Sequence, residues 1–410
     1  MRHGSRIGLG DMAITETTLI LRFADVGVAT YASLRIVGDP SRTVTWVIQS
    51  AQVRDGLEDL ATALPEPTPG ESLTEALERA LTTGPFAAAD TEAALATRLG
   101  SSLLSEQAWS LLLDSAPGAV LFISPSARLG RVPWGSLAVP DDDDGRRLVE
   151  LVDLLMAIPP NIVNAPRPRT TWVERRHRSP LVILDPRVPG QRPDSALGSV
   201  LGRPAPDTLL ARHFADDVTA RRLLPAVSAP TELFRRTDAD RDWLATMLAE
   251  APGRLLYVGH ASAAEDRSGR ADQASLHLAE EAPLTAAAIM SRGMPIPPRV
   301  ALIACASGGD YRFDEATGLV AAMVLCGAQL VTATLWSLPT TAGHRRFTGG
   351  QTDPMGELIV AVDGAHGDDR AGHAVNEWQR ECLRRWRSGD ATANPLYWAA
   401  LATFAVDGAR

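Results

Sequence analysis

The sequence predicts an α/β protein, with a mainly parallel sheet flanked by helices and a small strand-rich region at the N-terminus. Two apolar runs, 254–259 and 299–304, have the length and composition of buried parallel strands. Segments with helical spacing lie between such runs in the second half of the chain. Near the N-terminus, residues 18–23 and 44–48 instead alternate apolar and polar side chains, which is typical of half-buried antiparallel strands.

Proline and glycine mark the organisation of the first part of the chain. We assign residues 1–65 to the strand-rich region, whose role the sequence does not reveal beyond packing on the sheet or gating it. The proline-rich stretch 65–70 predicts a linker. Residues 66–94 are therefore interpreted as linker and helix, and residues 95–410 as the main domain, with a core at 231–345.

In the main domain, strands and helices are expected to alternate. Strands are predicted at 119–123, 181–185, 254–259, 299–304 and 330–335. Helices are predicted at 242–248, 284–290, 318–326 and 371–386. No repeat with a period of about 20–50 residues is visible, so the chain is not expected to form a solenoid.

The composition indicates a soluble globular protein in a reducing compartment. The chain has 410 residues, of which 45% are hydrophobic and 22% charged, and it has only three cysteines. No run approaches the roughly 20 apolar residues that a membrane helix needs, and the N-terminus does not resemble a signal peptide. We therefore expect a cytoplasmic protein without a membrane partner. The formal net charge of −9 argues against nucleic acid as a partner.

Several classes of cofactor chemistry are excluded by the residue types. The sequence contains no lysine, which excludes a Schiff-base lysine and a lysine-bearing phosphate loop. No pair of cysteines or histidines has the spacing of a metal site. We expect neither a cofactor nor a metal.

Each of the two apolar runs ends on a reactive side chain. Run 254–259 is followed by His260, and run 299–304 by Cys305. Open α/β sheets carry their chemistry at the carboxyl ends of such strands, so neighbouring strands would place the imidazole beside the thiol. A thiol with an ordinary pKa of about 8.5 needs a base to attack a carbonyl at neutral pH. The pattern predicts a nucleophile, Cys305, and its general base and acid, His260.

Small residues surround both candidates and would let a substrate backbone approach. The N–H groups of Ala261 and Cys305 are the candidate donors to a developing oxyanion. Cys326 and Cys382 lie on predicted helices and are interpreted as small core residues, which is the commoner role of a cysteine.

The motifs around these residues occur in an order that resembles the CHAT domain family. They are Gly259–Ala261, Ser275–Leu278, Ile303–Gly308, Asp314–Leu319, Cys326–Val331 and Ala333–Ser337, flanked by Arg128–Leu137 and Asn394–Ala400. The resemblance spans roughly residues 95–410. CHAT domains are related to separase within the clan of caspase-fold cysteine peptidases.

The resemblance implies a caspase-like sheet and a His260–Cys305 dyad. It further implies a regulated bacterial thiol protease, an endopeptidase that cleaves one specific protein, encoded by a neighbouring gene, in stress or phage defence. Many family members carry TPR repeats and this chain does not. Recognition of the substrate, or of an activating partner or sensor, would then lie in residues 1–94 or in the loops.

Two departures from the family pattern bear on the site. Ala261 stands where a glycine usually follows the histidine, which affects the geometry of the oxyanion donors. The aspartate usually found after the Leu-Trp pair is missing from segment 337–341, so specificity for a basic side chain is not expected. The candidate residues of the substrate pocket are Asp310, Asp314, Glu315, Trp336 and Ser337.

Two alternatives to a peptidase remain open. A catalytically silent interaction or signalling module would keep the fold without turnover. Acyl transfer or amide hydrolysis on a small molecule would use the same dyad in an enclosed pocket.

Overall fold

The computed structural model describes residues 16–192, 195, 197–262, 271–305, 307 and 318–410. Its strands are β1 Thr18–Asp25, β2 Ala29–Ile36, β3 Asp39–Gln49, β4 Val120–Ser124, β5 Asp153–Ala157, β6 Leu181–Leu184, β7 Arg254–Gly259, β8 Ala261–Ser262, β9 Ser275–Leu276, β10 Leu284–Thr285, β11 Arg299–Ala304, β12 Leu330–Thr334 and β13 Leu401–Ala405.

The α-helices lie mainly between these strands. They are α1 Ser50–Ala63, α2 Leu73–Thr82, α3 Ala89–Leu103, α4 Glu106–Ser115, α5 Leu148–Leu151, α6 Pro160–Val163, α7 Trp172–Arg175, α8 Leu209–His213, α9 Ala215–Thr219, α10 Arg241–Ala249, α11 Ala286–Arg292, α12 Leu319–Leu325, α13 Thr341–Thr348, α14 Pro354–Ala365, α15 Ala371–Arg387 and α16 Pro395–Trp398. Within the described ranges, no helix has both the length and the apolar character needed to cross a membrane.

One large sheet forms the centre of the fold. In the described part of the chain it has ten strands, in the order β3-β2-β1-β4-β5-β13-β12-β11-β7-β6. Strands β6, β7, β11 and β12 run parallel to one another, and β13 pairs antiparallel with β12. Helices α12, α14 and α15 pack on β12, β11 and β5 respectively. The predicted α/β class, with a mainly parallel sheet flanked by helices, is confirmed.

The N-terminal strands extend this sheet and do not form a separate unit. Strand β1 pairs parallel with β4, with Leu19 opposite Leu121, and β2 and β3 continue from it as an antiparallel meander. Their alternation places Leu19, Leu21 and Leu34 in the core. The predicted N-terminal region also contains α1, which the alternating pattern did not indicate. The predicted boundary at residue 65 therefore does not separate two sheets.

The central strands are buried along their whole length because helices cover them. All six residues of β11 and all five of β12 are buried. The helices predicted at 242–248, 318–326 and 371–386 are present with bounds shifted by at most one residue at either end, as α10, α12 and α15. The helix predicted at 284–290 begins two residues later, because Leu284 and Thr285 form β10 and Thr285 caps α11.

Candidate active site

The register of the sheet places His260 and Cys305 at neighbouring strand ends. Strands β7 and β11 are adjacent and parallel, and their last paired residues are Gly259 and Ala304. The residues that follow this pair are His260 and Cys305, which therefore leave the same edge of the sheet. Both are half-buried and line one cavity of about 180 Å³. The strand register and the shared cavity therefore place His260 and Cys305 at the same edge of the sheet, as the sequence predicts.

The His260 ring is oriented by a main-chain carbonyl. Its Nε2 atom lies 2.9 Å from the carbonyl oxygen of Gly198. A carbonyl oxygen only accepts, so Nε2 carries the proton and Nδ1 of the neutral ring carries the free lone pair. This tautomer leaves Nδ1 as the basic atom of His260.

A buried carboxylate holds the loop that carries Gly198. Asp185, the residue after β6, has 0% exposure and accepts hydrogen bonds from Ser199 Oγ at 2.6 Å and Val200 N at 3.2 Å. Arg235 Nη1 lies 3.3 Å from the Asp185 carboxylate and donates to Gly198 O at 3.0 Å. Burial raises the pKa of Asp185, and the bond from Ser199 opposes that shift. Since β6 neighbours β7, the loop is anchored directly beside His260.

Tyr257 forms hydrogen bonds with the main chain at the end of β7. Its hydroxyl lies 2.8 Å from His260 O and 2.7 Å from His277 O, and His277 N donates to His260 O at 3.0 Å. Burial raises the pKa of Tyr257, so the hydroxyl keeps its proton and donates. A Cβ on Gly259 would lie 2.8 Å from this hydroxyl, which explains why the strand ends on glycine.

A second imidazole lies next to the first. His277 Nε2 is 2.7 Å from Ser262 Oγ. Burial lowers the pKa of His277, and the nearby charge of protonated His260 lowers it further. Both effects disfavour a proton on the His277 ring.

The N–H of Ala261 is not used in the pairing of strand β8 with strand β9. Strand β8 pairs antiparallel with β9, and the bond from His277 N to His260 O makes Ala261 and Leu276 the non-hydrogen-bonded type of pair. The N–H of Ala261 then points away from β9, as an oxyanion donor requires. Ala261 does not have a positive φ, so alanine at this position carries no backbone strain.

The pKa of the Cys305 thiol is raised above its ordinary value. Burial raises its pKa, a hydrogen bond with the Ser337 side chain lowers it, and the negative charge of Glu66 raises it. Ser337, a predicted pocket residue, lines the cavity, and its N–H donates to Glu66 Oε1 at 3.1 Å. The net shift is upward, which disfavours the thiolate form of Cys305.

Glu66 reaches the site from the predicted linker and was missed by sequence reasoning. Arg79 of α2 holds this segment by donating to Leu64 O at 3.2 Å and to Glu66 O at 3.1 Å, and by pairing with Glu71 at 2.8 Å. Arg131 lies 4.0 Å from Glu66 Oε2. An acid between two prolines gives no local signal that it lies beside Cys305.

A second predicted pocket residue, Trp336, does not line the cavity. Trp336 has 0% exposure, and its Nε1 donates to Leu396 O at 3.0 Å, so its assignment to the pocket is corrected to the core. Its strand continues from β12 into the interior, which turns the indole away from the surface. Asp310, Asp314 and Glu315 lie outside the described residues. Cys326 and Cys382 are buried.

Metal ligands are not assembled in the described ranges. Within them, no group of three or more histidine, cysteine, aspartate or glutamate side chains has the geometry of a metal site.

Comparison with known proteins identifies the family. The family model for the CHAT domain matches residues 75–408. No curated protein matches the chain significantly. Two crystal structures of the Saccharomyces cerevisiae separase–securin complex, at 2.6 and 3.0 Å resolution, are similar with TM-scores of 0.46 and 0.45 and 11% identity. They cover 95% of this chain, which spans 30% of theirs. The family match begins within α2 and includes both strands of the candidate dyad, and the chain belongs to the CHAT domain family.

Proposed function

We propose that this protein is a cysteine endopeptidase that cleaves a specific protein substrate through Cys305 and His260. The observation that carries the proposal is the parallel pairing of Gly259 with Ala304, which brings the two side chains to one cavity. Membership of the CHAT family supports a peptidase of the caspase-fold clan.

In the proposed mechanism His260 acts first as a base and then as an acid. Its Nδ1 accepts the proton of the Cys305 thiol as Sγ attacks the carbonyl carbon of the scissile peptide bond. The Ala261 and Cys305 N–H groups donate to the oxyanion. The same proton then passes to the leaving amine, and a water molecule hydrolyses the thioester. Each proton transfer by a positioned imidazole contributes about 10²–10⁴-fold.

The electrostatics of the resting site favour general-base catalysis over a preformed ion pair. Burial raises the pKa of Cys305, and Glu66 adds a further upward shift. A protonated thiol is unreactive until a bound carbonyl and a base are both in place, which suits an enzyme with few substrates.

The biological setting is proposed from the family and the cysteine usage. All three cysteines are free thiols, as in proteins of the reducing cytoplasm. We propose a bacterial stress or phage-defence role, with a substrate encoded by a neighbouring gene and an activating partner or sensor.

Intact-mass spectrometry tests the proposal. Wild type, Cys305→Ala and a matched Cys382→Ala control are each mixed with the products of the neighbouring genes. We expect one defined cut with wild type and with the Cys382 variant, and none with Cys305→Ala. Cleavage by Cys305→Ala at the wild-type rate would refute the assignment.

The silent interaction module stays a second candidate because burial raises the pKa of Cys305. It predicts that Cys305 reacts no faster with a peptide-like electrophile than a free thiol does. The small-molecule alternative is less favoured, because a cavity of about 180 Å³ is smaller than the roughly 300–1,000 Å³ of typical small-molecule sites.

A further inference from the structure

The cavity beside Cys305 has an almost entirely apolar wall. Its apolar side chains include Pro65, Leu73, Leu77, Val200, Leu338 and Met355, which come from separate parts of the chain. Of these, Pro65, Val200, Leu338 and Met355 are buried and Leu77 is half-buried. Cys305, His260, Ser337 and Thr340 supply the polar groups, at the end where the proposed chemistry takes place.

No aspartate, glutamate or arginine is among the described residues that line this cavity. The Glu66 carboxylate, whose charge reaches Cys305, accepts from Ser337 N at 3.1 Å and lies 4.0 Å from Arg131. A cationic side chain entering the cavity would lose its hydration, and no described lining residue would supply an opposite charge, while Glu66 is already engaged by these two donors. An aliphatic side chain would lose nothing and would gain contact with the wall.

The volume of the cavity matches one medium-sized apolar side chain. The cavity measures about 180 Å³. An apolar cavity of about 150 Å³ is large enough to bind benzene. Leucine, methionine and phenylalanine side chains fit such a space.

The N-terminal segment supplies the mouth of the cavity. Leu73 begins α2 and has 61% exposure, although it is a large hydrophobic residue at the rim of a cavity that holds a nucleophile. Leu77 lies one helical turn further on and packs against Gly343, where a Cβ would be only 2.9 Å away. Ser72 and Glu75 form a capping box that fixes the start of this helix. The exposed leucine is thus held at the mouth and not on a freely moving loop.

We propose that this cavity is the subsite for the side chain on the acyl side of the scissile bond, and that it selects leucine, methionine or phenylalanine over basic side chains, with Leu73 and Leu77 as specificity-determining residues. This inference rests on the proposed peptidase function, since it assigns the substrate residue of the same site.

Two covalent probes test the inference without knowledge of the substrate. They are acyloxymethyl ketones of acetyl-leucine and acetyl-arginine. In each, Cys305 Sγ forms a C–S bond to the methylene carbon, the C–O bond to the carboxylate breaks, the carboxylate leaves with the electron pair, and the thiol proton passes to His260. The rate of single adduct formation on the full chain is followed by intact mass. We expect the leucine probe to react at least about tenfold faster than the arginine probe.

Rim variants test the two specificity residues. Leu73→Glu places a carboxylate at the mouth, in the first turn of a helix where an acid is tolerated. We expect it to lower the leucine-to-arginine rate ratio by at least about fivefold. Val173→Glu, on an equally exposed residue in the first turn of α7, is the matched control and should leave the ratio unchanged. Leu77→Trp should slow the leucine probe by filling the cavity, with thermal unfolding as the check on folding.

The outcomes separate the inference from the function on which it rests. A faster reaction of the arginine probe, with a rate that depends on His260, would overturn the apolar subsite and leave the peptidase proposal standing. A leucine probe that reacts equally fast with wild type and His260→Ala would overturn both.

Discussion

His260 Nε2 lies 2.9 Å from the carbonyl oxygen of Gly198, a residue 62 positions earlier in the chain. The contact is with a carbonyl, so the imidazole is held in the tautomer that leaves Nδ1 basic. The same oxygen accepts a hydrogen bond from Arg235, which Asp185 anchors. The orientation of the proposed catalytic base thus depends on a buried charge that never touches it.

Asp185 is predicted to be a positioning residue. In Asp185→Asn, Arg235 loses its counter-charge and the loop carrying Gly198 loosens, so His260 is no longer held in one tautomer. We expect the rate of Cys305 labelling by the leucine probe to fall about 10–100-fold, by analogy with the loss of other groups that orient a catalytic imidazole. The pH profile of labelling should also change, which a purely structural role would not produce.

Asp363→Asn is the matched control for that experiment. Asp363 is also buried and pairs with Arg254 at 2.9 Å and with His213 at 2.9 Å, but it lies on α14, away from the dyad. Both variants should lose about 3–5 kcal/mol of stability, as expected when one partner of a buried ion pair is removed. Equal labelling of the two variants at a temperature where both are folded would contradict the role of Asp185.

Replacement of Cys305 by alanine is expected to abolish turnover without unfolding the protein. The side chain is half-buried and small, and its loss opens space into an existing cavity rather than creating a new one. We expect a change in the free energy of unfolding below about 1 kcal/mol. Urea unfolding followed by circular dichroism measures it. A large loss would instead indicate a structural role for the thiol.

The pH dependence of Cys305 alkylation follows from the sign of its pKa shift. Its pKa is raised above its ordinary value, so the reactive thiolate becomes more abundant as the pH rises and is still increasing at about pH 9. The rate of iodoacetamide addition should therefore climb through this range without a plateau near neutrality. Cys382, with a pKa raised to about 12 by burial, should react more slowly throughout. A plateau near pH 7 would indicate a preformed thiolate–imidazolium pair.

Glu66→Gln is predicted to make Cys305 more reactive at a fixed pH. The carboxylate of Glu66 raises the pKa of the thiol, and glutamine removes the charge while its amide oxygen can still accept from Ser337 N. We expect alkylation near pH 8 to accelerate about threefold, because a lower pKa leaves more of the thiol as thiolate. Glu78→Gln, an exposed change on α2, should have no effect. A slower reaction in Glu66→Gln would mean that Glu66 assists the thiol.

Much of the fold was predictable because its signals are local. The apolar runs of β7 and β11 and the helices α10, α12 and α15 follow from residue type and periodicity over a few positions. The alternation at the N-terminus predicted strands correctly. Pairing of β1 with β4 joins strands about a hundred positions apart, and no short-range pattern records it.

The candidate site also combines features that have a local sequence signal with features that have none. The sequence predicted the candidate dyad, because a histidine and a cysteine each follow an apolar strand. It did not predict the residues that surround them. Glu66 meets Ser337 across 271 positions, and the linker that carries it was predicted only as a connection.

By itself the sequence determined the candidate dyad, the strands that carry it and the family, because these depend on residue identity and short-range order. The tertiary structure decided which strands are neighbours, which carbonyl orients His260, and which side chains form the cavity. Trp336 illustrates the difference: it is in the right motif for the pocket, yet the packing of the interior directs it to Leu396. Such contacts result from the packing of the whole chain, so a local pattern cannot specify them.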